Sequence, residues 1–290
     1  MSATCNGVID TGFVHLGYAK VAFLGLIQGI TELLPISSTA HMRVVPALLG
    51  WEDPGSAFSA AMQLAALVGV VSYFWKDIAS LATGSVGAAI KGDFKNRDLL
   101  MVGYIVLGTI PIAIAGLALT KVLNACNSPL RGVAVIGAAC LVMAALLALA
   151  EITAKHRRTM EQATLLDAVL IGLAQALTLI PGVSRSGSTL TAALGLGFKR
   201  EEAARFSFLL GIPAIALAGL KEIAELHKAH LDGHGWSILA VGLVVGAISS
   251  IAAIWGLMRF LERFSTWPFV IYRAALGVLL LAGAAYGFIH

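Results

Sequence analysis

The chain has 290 residues, of which 58% are hydrophobic and 12% charged, with a formal net charge of +4. Its mean hydropathy is +0.87, whereas soluble domains run at about 45–50% apolar and about 25% charged. The composition therefore excludes an ordinary soluble domain and indicates one polytopic membrane domain, 1–290. No basic stripe interleaved with aromatics points to nucleic acid, and the modest positive charge suits a positive-inside loop bias. Cys5, Cys126 and Cys140 have no metal spacing and read as small hydrophobes without a disulfide framework. No basic segment followed by an apolar run and a cleavage site opens the chain, so no removable signal peptide is expected.

In chain order, residues 1–17 are mixed and suit an interface. Residues 18–34 are apolar but dotted with polar groups, end at Pro35, and look too interrupted for a clean span. Residues 38–50 make a second short piece, closed by the turn-like Trp51-Glu52-Asp53-Pro54-Gly55. A crossing needs about 20 apolar residues, so two short pieces joined at a proline predict a re-entrant hairpin. Residues 57–75 predict a span, 76–98 a polar loop, and 99–120 and 132–151 two further spans. Residues 152–164 form a basic linker. Residues 165–180 and 186–197 repeat the short pair around Pro181, and 206–222, 236–258 and 269–289 are the last spans.

The chemistry concentrates in Gly25–His41, GLIQGITELLPISSTAH. Gln28 and Glu32 lie one helical turn apart, and Ser37, Ser38, Thr39 and His41 follow the Pro35 break. Carboxylates, hydroxyls and imidazoles are costly inside an apolar protein. Read alone, the run also looks like a helix start capped by Ser38. Glu32 is the one acid well inside an apolar run, and His41 the one histidine near a motif. Ser38 and His41, three apart, share a helical face and suit a base-activated nucleophile. Gln28 and Glu32, four apart, suit a cation held through oxygens. His227, His230 and His234 lie in a polar loop and read as solvated.

The two halves repeat. Gly25-Leu26-Ile27-Gln28, Thr31 and Leu34-Pro35 answer Gly172-Leu173-Ala174-Gln175, Thr178 and Ile180-Pro181. Downstream, Ala57-Phe58-Ser59 answers Arg205-Phe206-Ser207. The predicted architecture is an all-α membrane protein with six spans and two re-entrant hairpins. One hairpin and three spans make a first repeat, 18–151, and a second, inverted repeat, 165–289. Short proline-broken segments in corresponding positions point to a midplane site. Of the 20 Lys and Arg residues, twelve fall on one side of this topology, six on the other, and Arg185 and Arg273 inside the membrane. The richer side is expected to be cytoplasmic, which turns both termini and the mouth of the first hairpin outward.

The second motif, Pro181–Thr189, reads PGVSRSGST. It offers a new helix start, the hydroxyls of Ser184, Ser186, Ser188 and Thr189, and the Arg185 guanidinium, which is the chemistry of a phosphate cradle. It lacks the GK[ST] of a Walker loop. The repeat sets Arg185 opposite the Ser38 cluster.

Over essentially its whole length the sequence resembles the undecaprenyl-diphosphate phosphatase, or bacitracin-resistance, family. Two motifs carry the resemblance: [E/Q]xxxE, here Gln28 to Glu32, running on into Pro35–His41, and PGxSRSxxT, here Pro181–Thr189. The resemblance implies an enzyme of the bacterial plasma (inner) membrane that removes the terminal phosphate of a prenyl diphosphate lipid and so recycles the carrier for cell-wall synthesis. It implies an active site open to the outer face and a divalent cation, Mg2+ or Ca2+. By position, Glu32, Ser38, His41 and Arg185 would be catalytic, with Ser38, or a metal-activated water in its place, as the nucleophile and His41 as general base. Ser37, Thr39, Ser184, Ser186 and Thr189 would bind the diphosphate. The family often has Glu where this chain has Gln28, so one ligand charge is missing. The expected partners are the prenyl lipid and membrane lipids, and a homo-oligomer is compatible with the sequence. Inverted repeats with broken helices are also the mark of secondary transporters. On that reading, or as a lipid-carrier flippase, Glu32 and His41 would relay protons and Arg185 would bind an anion in transit.

Overall fold

The structure is a computed structural model that describes residues 11–119, 130, 132–228 and 230–287. Cys5, Lys121, Cys126 and Arg131, with most of the N-terminal interface segment, lie outside the described residues. Among the described residues twelve α-helices follow one another: α1 Phe13–Leu33, α2 Ser38–Leu48, α3 Ser56–Ala61, α4 Gln63–Tyr73, α5 Trp75–Lys91, α6 Arg97–Ala118, α7 Val133–Thr153, α8 Leu165–Ala176, α9 Arg185–Gly195, α10 Arg200–Lys228, α11 Gly233–Arg263 and α12 Trp267–Ala285. Among the described residues no strand forms, and one isolated bridge joins Arg158 to Phe198.

Among the described residues six helices are long and apolar enough to cross a membrane: α1, α6, α7, α10, α11 and α12. The number matches the expectation, but one member differs. Residues 13–33 form one helix, kinked at Gly17 (φ 73°), that is long and apolar enough to span, where 18–34 was expected to be too interrupted for a clean span. The expected span at 57–75 is divided at Met62 into α3 and α4, and it bends by 75° into α5. Residues 76–98, expected to be a polar loop, are mostly the helix α5. Its charges sit at its ends, with Asp77 in the first turn, Lys91 in the last and Gly92 as a left-handed cap (φ 69°). That placement suits the helix dipole and leaves Ile78–Ile90 uncharged and helix-forming.

Packing in an apolar solvent depends on close backbone approach, so glycines mark the seams. Along the seam of α1 with α11, a Cβ on Gly25 would stand 2.5 Å from the Gly242 carbonyl oxygen. One turn on, Ser250 donates to the Gly29 carbonyl at 3.2 Å. The α8–α6 seam has the same form, since a Cβ on Gly172 would strike the Gly108 backbone. One large apolar cluster gathers Leu33, Val70, Phe74, Leu147, Phe206 and Leu257, and a second gathers Phe13, Val21, Phe58, Met62 and Leu239. Elsewhere large apolar side chains face outward, as Ile114, Leu117 and Ile248 do.

One end of the bundle is tied by charge. Arg205 pairs with Asp77, and Arg200 with the buried Glu151, which also accepts from Thr266 Oγ1 at 2.8 Å. Arg158 holds Asp167 at 2.9 and 2.5 Å, and these bonds push the arginine pKa further up. Arg97 donates to the carbonyls of Met160 and Ala163. All four arginines belong to the side richer in Lys and Arg.

Candidate active site

Two helix breaks build the site. Pro35 has no N–H to continue α1, and the chain leaves the helix with Leu34 extended (φ −71°, ψ 144°). Ser37 then takes a left-handed conformation (φ 72°), and its Oγ accepts from Ala40 N at 3.4 Å. Ser37, not Ser38, is thus the cap of α2. At the second break Gly182 has φ 96°, and Ser184 repeats the arrangement with φ 66° and a bond from Gly187 N at 3.2 Å. Each serine starts a helix of 11 residues. Positive φ in a residue with a Cβ is uncommon and concentrates at functional sites.

Glu32 joins the breaks. Its Oε2 accepts from Ser38 Oγ at 2.5 Å and from Gln28 Nε2 at 3.0 Å, and its Oε1 from Arg185 Nη2 at 2.5 Å. Both sides of the ion pair are largely buried. Ser186 Oγ reaches across to the carbonyls of Glu32 and Leu34 at 3.1 and 3.0 Å. The expected grouping of Gln28, Glu32, Ser38 and Arg185 is therefore formed.

His41 is arranged differently from the expected Ser38–His41 pair. Its Nδ1 lies 2.7 Å from the Ser37 carbonyl and its Nε2 2.6 Å from the Tyr272 hydroxyl, with the two rings stacked. A carbonyl only accepts, so Nδ1 carries the proton and Nε2 accepts from Tyr272. Ser38, in the first turn of α2, bonds back to Glu32 instead. Of the other expected phosphate ligands, Thr39 is exposed and Ser184 caps α9. Ser186 bonds across the breaks, and Thr189 Oγ1 donates to the Arg185 carbonyl at 2.8 Å. Ser188, in the same motif, ties α9 to the Ala174 carbonyl.

Tyr272 and Arg273 were given no site role by sequence reasoning. Arg273 is fully buried and donates to Gly182 O and Val183 O at 2.5 Å, and to Pro35 O and Cys140 O at 3.3 Å. One guanidinium thus serves the freed carbonyls of both breaks. The signal was a cation inside an apolar helix, which is a functional-site hypothesis by default.

Among the described residues no group of three or more His, Cys, Asp or Glu could hold a metal. The donors present are Glu32 and Gln28 Oε1, which is buried without a partner. One carboxylate and one amide oxygen fit a hard cation that keeps water and takes its other ligands from substrate phosphates, not a closed protein cage.

The fold and the site define an integral membrane protein with a buried polar centre where two helix breaks meet. Residues 21–279 match the family described as bacitracin resistance protein BacA, and the chain belongs to that family. A Mesorhizobium japonicum protein named undecaprenyl-diphosphatase 2 is 71% identical over 91% of this chain and 100% of its own length. Proteins named undecaprenyl-diphosphatase from Gloeobacter violaceus and Synechococcus elongatus are 53% and 50% identical, over 94% and 91% of this chain and 94% and 92% of theirs.

Replacing Arg273 by Lys keeps the charge but cannot reach four carbonyls on three segments. In a Cys5→Ser/Cys126→Ser background, Arg273→Lys should label faster at the buried Cys140 with a membrane-permeant maleimide and melt lower in detergent. Unchanged labelling and melting would show that the arginine does not hold the breaks together.

Proposed function

We propose that the protein is an integral membrane phosphatase that hydrolyses undecaprenyl diphosphate to undecaprenyl phosphate and inorganic phosphate, recycling the cell-wall lipid carrier. The observation that carries this reading is the double engagement of Glu32. One carboxylate accepts both a hydroxyl suited to attack and a guanidinium suited to phosphate. The names of the relatives agree with it.

In the mechanism we infer, Ser38 Oγ attacks the terminal phosphorus and its proton passes to Glu32 Oε2. The bond from that phosphorus to the bridging oxygen breaks, and prenyl monophosphate leaves with the proton that Glu32 returns. Water then attacks the phosphoserine and gives a proton to the freed Glu32, which passes it to Ser38 Oγ as the phosphorus–Oγ bond breaks and phosphate leaves. Arg185 spends one of its five N–H groups on Glu32, which leaves donors for the transferring phosphoryl group. The geometry favours Glu32 over His41 as the base for Ser38. His41, held by Tyr272, fixes the Ser37 carbonyl and the strained turn that aims Ser38. Gln28 and Glu32 would hold a divalent cation, Mg2+ or Ca2+, whose chemistry when bound is to neutralise diphosphate charge.

We read α1–α2 and α8–α9 as re-entrant hairpins of an inverted repeat. Three observations support this. The breaks share their serine caps and helix lengths. Each hairpin packs by glycine on a span of the other half, α1 on α11 and α8 on α6. Gly29 stands beside Gly246, near the middle of the 31-residue α11, so Glu32 ends deep in the bilayer. The arginine-rich end would face the cytoplasm of the plasma membrane, and the mouth between α1 and α2 would open to the outer face.

Phosphate release by purified protein from a prenyl diphosphate in detergent micelles tests the reading directly, because transport has no meaning there. Ser38→Ala and Glu32→Gln should each lower turnover by about two orders of magnitude or more. The double variant should lose about as much as either alone, and multiplied losses would separate the two residues.

Arg185→Lys keeps charge but loses the planar fork, and should cost about 30- to 1000-fold in kcat/KM while the protein stays folded. Activity within about threefold of wild type would remove Arg185 from the site.

Gln28→Glu restores a second carboxylate and should tighten the apparent affinity for divalent cation. A titration showing equal or weaker affinity would remove this pair as ligands.

A further inference from the structure

α2 leaves the polar centre with one open face. Thr39, the residue after Ser38, is exposed, Arg43 is partly exposed and Ala47 is exposed, each four residues from the next. His41 and Val44, on the other side of the helix, are buried. Arg43 pairs with Asp53 in the turn between α2 and α3. Their side chains are 34% and 37% exposed, against 13% and 6% for Arg185 and Glu32. The turn is also held without this pair. Trp51 N donates to the Pro46 carbonyl at 2.8 Å, Lys20 lies over the Trp51 ring, and Phe13 N donates to the Pro54 carbonyl at 3.1 Å. Arg43 stands five residues past Ser38. On the re-entrant reading that is about 7.5 Å along the helix, within a hydrocarbon half-layer of about 15 Å. An ion pair this open is costly against lipid at that depth and stable against water. Long side chains on a helix lean toward its N-terminus, which brings the guanidinium over the turn that carries Thr39.

We propose that this face of α2 lines a water-filled vestibule in which Arg43 takes up a phosphate group in exchange for Asp53, between the polar centre and the outer side. The proposal rests on the phosphatase reading above and its orientation. Hydrolysis leaves two products with opposite needs. Prenyl phosphate stays in lipid, and inorganic phosphate must reach water. The guanidinium fork that a carboxylate occupies fits two phosphate oxygens equally well. A lone arginine would retain the anion. Asp53 competes for the same fork and takes it back as the phosphate leaves. A pair this exposed is weak, so the exchange in either direction is easy. The same fork would also meet the diphosphate head of an incoming lipid, which carries the same chemistry.

The test measures inhibition by added inorganic phosphate, and KM for a prenyl diphosphate, in wild type, Arg43→Gln and Asp53→Asn. Asparagine keeps an oxygen for Gly55 N, which Asp53 Oδ1 accepts at 2.9 Å. Arg43→Gln should raise the phosphate inhibition constant about threefold, and Asp53→Asn should lower it by about as much. Opposite shifts in that constant assign the site to free phosphate, and opposite shifts in KM assign it to the lipid head. A pair that only pins the turn would move both variants in the same direction. That result, or no shift in either constant, would overturn the proposal and leave the phosphatase reading intact. Absence of phosphate release by wild type would instead overturn that reading. A second measurement does not depend on activity. In a Cys5→Ser/Cys126→Ser background, Arg43→Cys should react with a membrane-impermeant maleimide added from the outer side. No reaction there would show that the α2 face is closed to outer water, and would overturn the vestibule.

Discussion

Stopping a helix inside an apolar protein exposes carbonyl oxygens that neither lipid nor side chains of the usual kind can satisfy. This protein does so twice, at Pro35 and at Pro181. Arg273 answers both breaks by donating to Pro35 O on one side and to Gly182 O and Val183 O on the other. A guanidinium is suited to this because its donors spread in a plane and reach several acceptors at once. Desolvating its charge is expensive, and four carbonyl dipoles offset only part of the cost. The joining of the breaks is what makes the expense useful, since each alone would be a loose end in the membrane.

With the breaks held side by side, Glu32 and Arg185 are forced into contact across 153 residues of sequence. A buried ion pair is weak evidence for stability. Its value here is electrical balance before substrate arrives. Unpaired, either group would carry a bare charge among apolar surroundings. Paired, each offsets the other. In the proposed mechanism a diphosphate would add negative charge beside Glu32, and Arg185 would then serve two anions. A cation on Glu32 and Gln28 would relieve that competition, which gives the orphaned Gln28 oxygen a physical use.

Much of this was legible in sequence because the features were local. A proline inside an apolar run breaks a helix wherever the chain goes, so both breaks and most helices were readable. Glu32 stood out because acids are costly in apolar segments. The spacing of Gln28 and Glu32 correctly placed them in contact. The errors have equally physical causes. Residues 76–98 looked like a loop because charges were counted without noticing that they flank an uncharged stretch. Residues 18–34 looked too interrupted for a clean span because Gln28, Thr31 and Glu32 were weighed as interruptions, although Thr31 bonds back to its own helix and Gln28 and Glu32 bond to each other. Ser38 and His41 share a face, but spacing names a face and not a partner. The partner of His41 is 231 residues away on α12. Contacts of that range leave no mark in local periodicity, and for the same reason Arg273 was visible as an intramembrane cation without a role.

The two capping serines show why the site sits at the breaks and not along a helix. Glycine would adopt the left-handed φ of Ser37 and Ser184 without strain. It would then lack the oxygen that caps α2 and α9. Asparagine tolerates the conformation and can cap, but its larger amide would bring two more donors into a place already crowded with them. Serine meets the capping need with the smallest polar group, and the strain it carries is held by neighbours that bond the same turn. His41 and Tyr272 grip Ser37 through its carbonyl. Arg273 grips the residues before Ser184. The turn is therefore rigid at the point where Ser38 and Arg185 emerge, one residue after each cap. Groups placed on the first residue of a helix have a fixed backbone behind them and the positive end of the helix dipole in front. In the proposed mechanism that arrangement would aim Ser38 and Arg185 at one phosphoryl group between the two breaks, with Glu32 bonded to both.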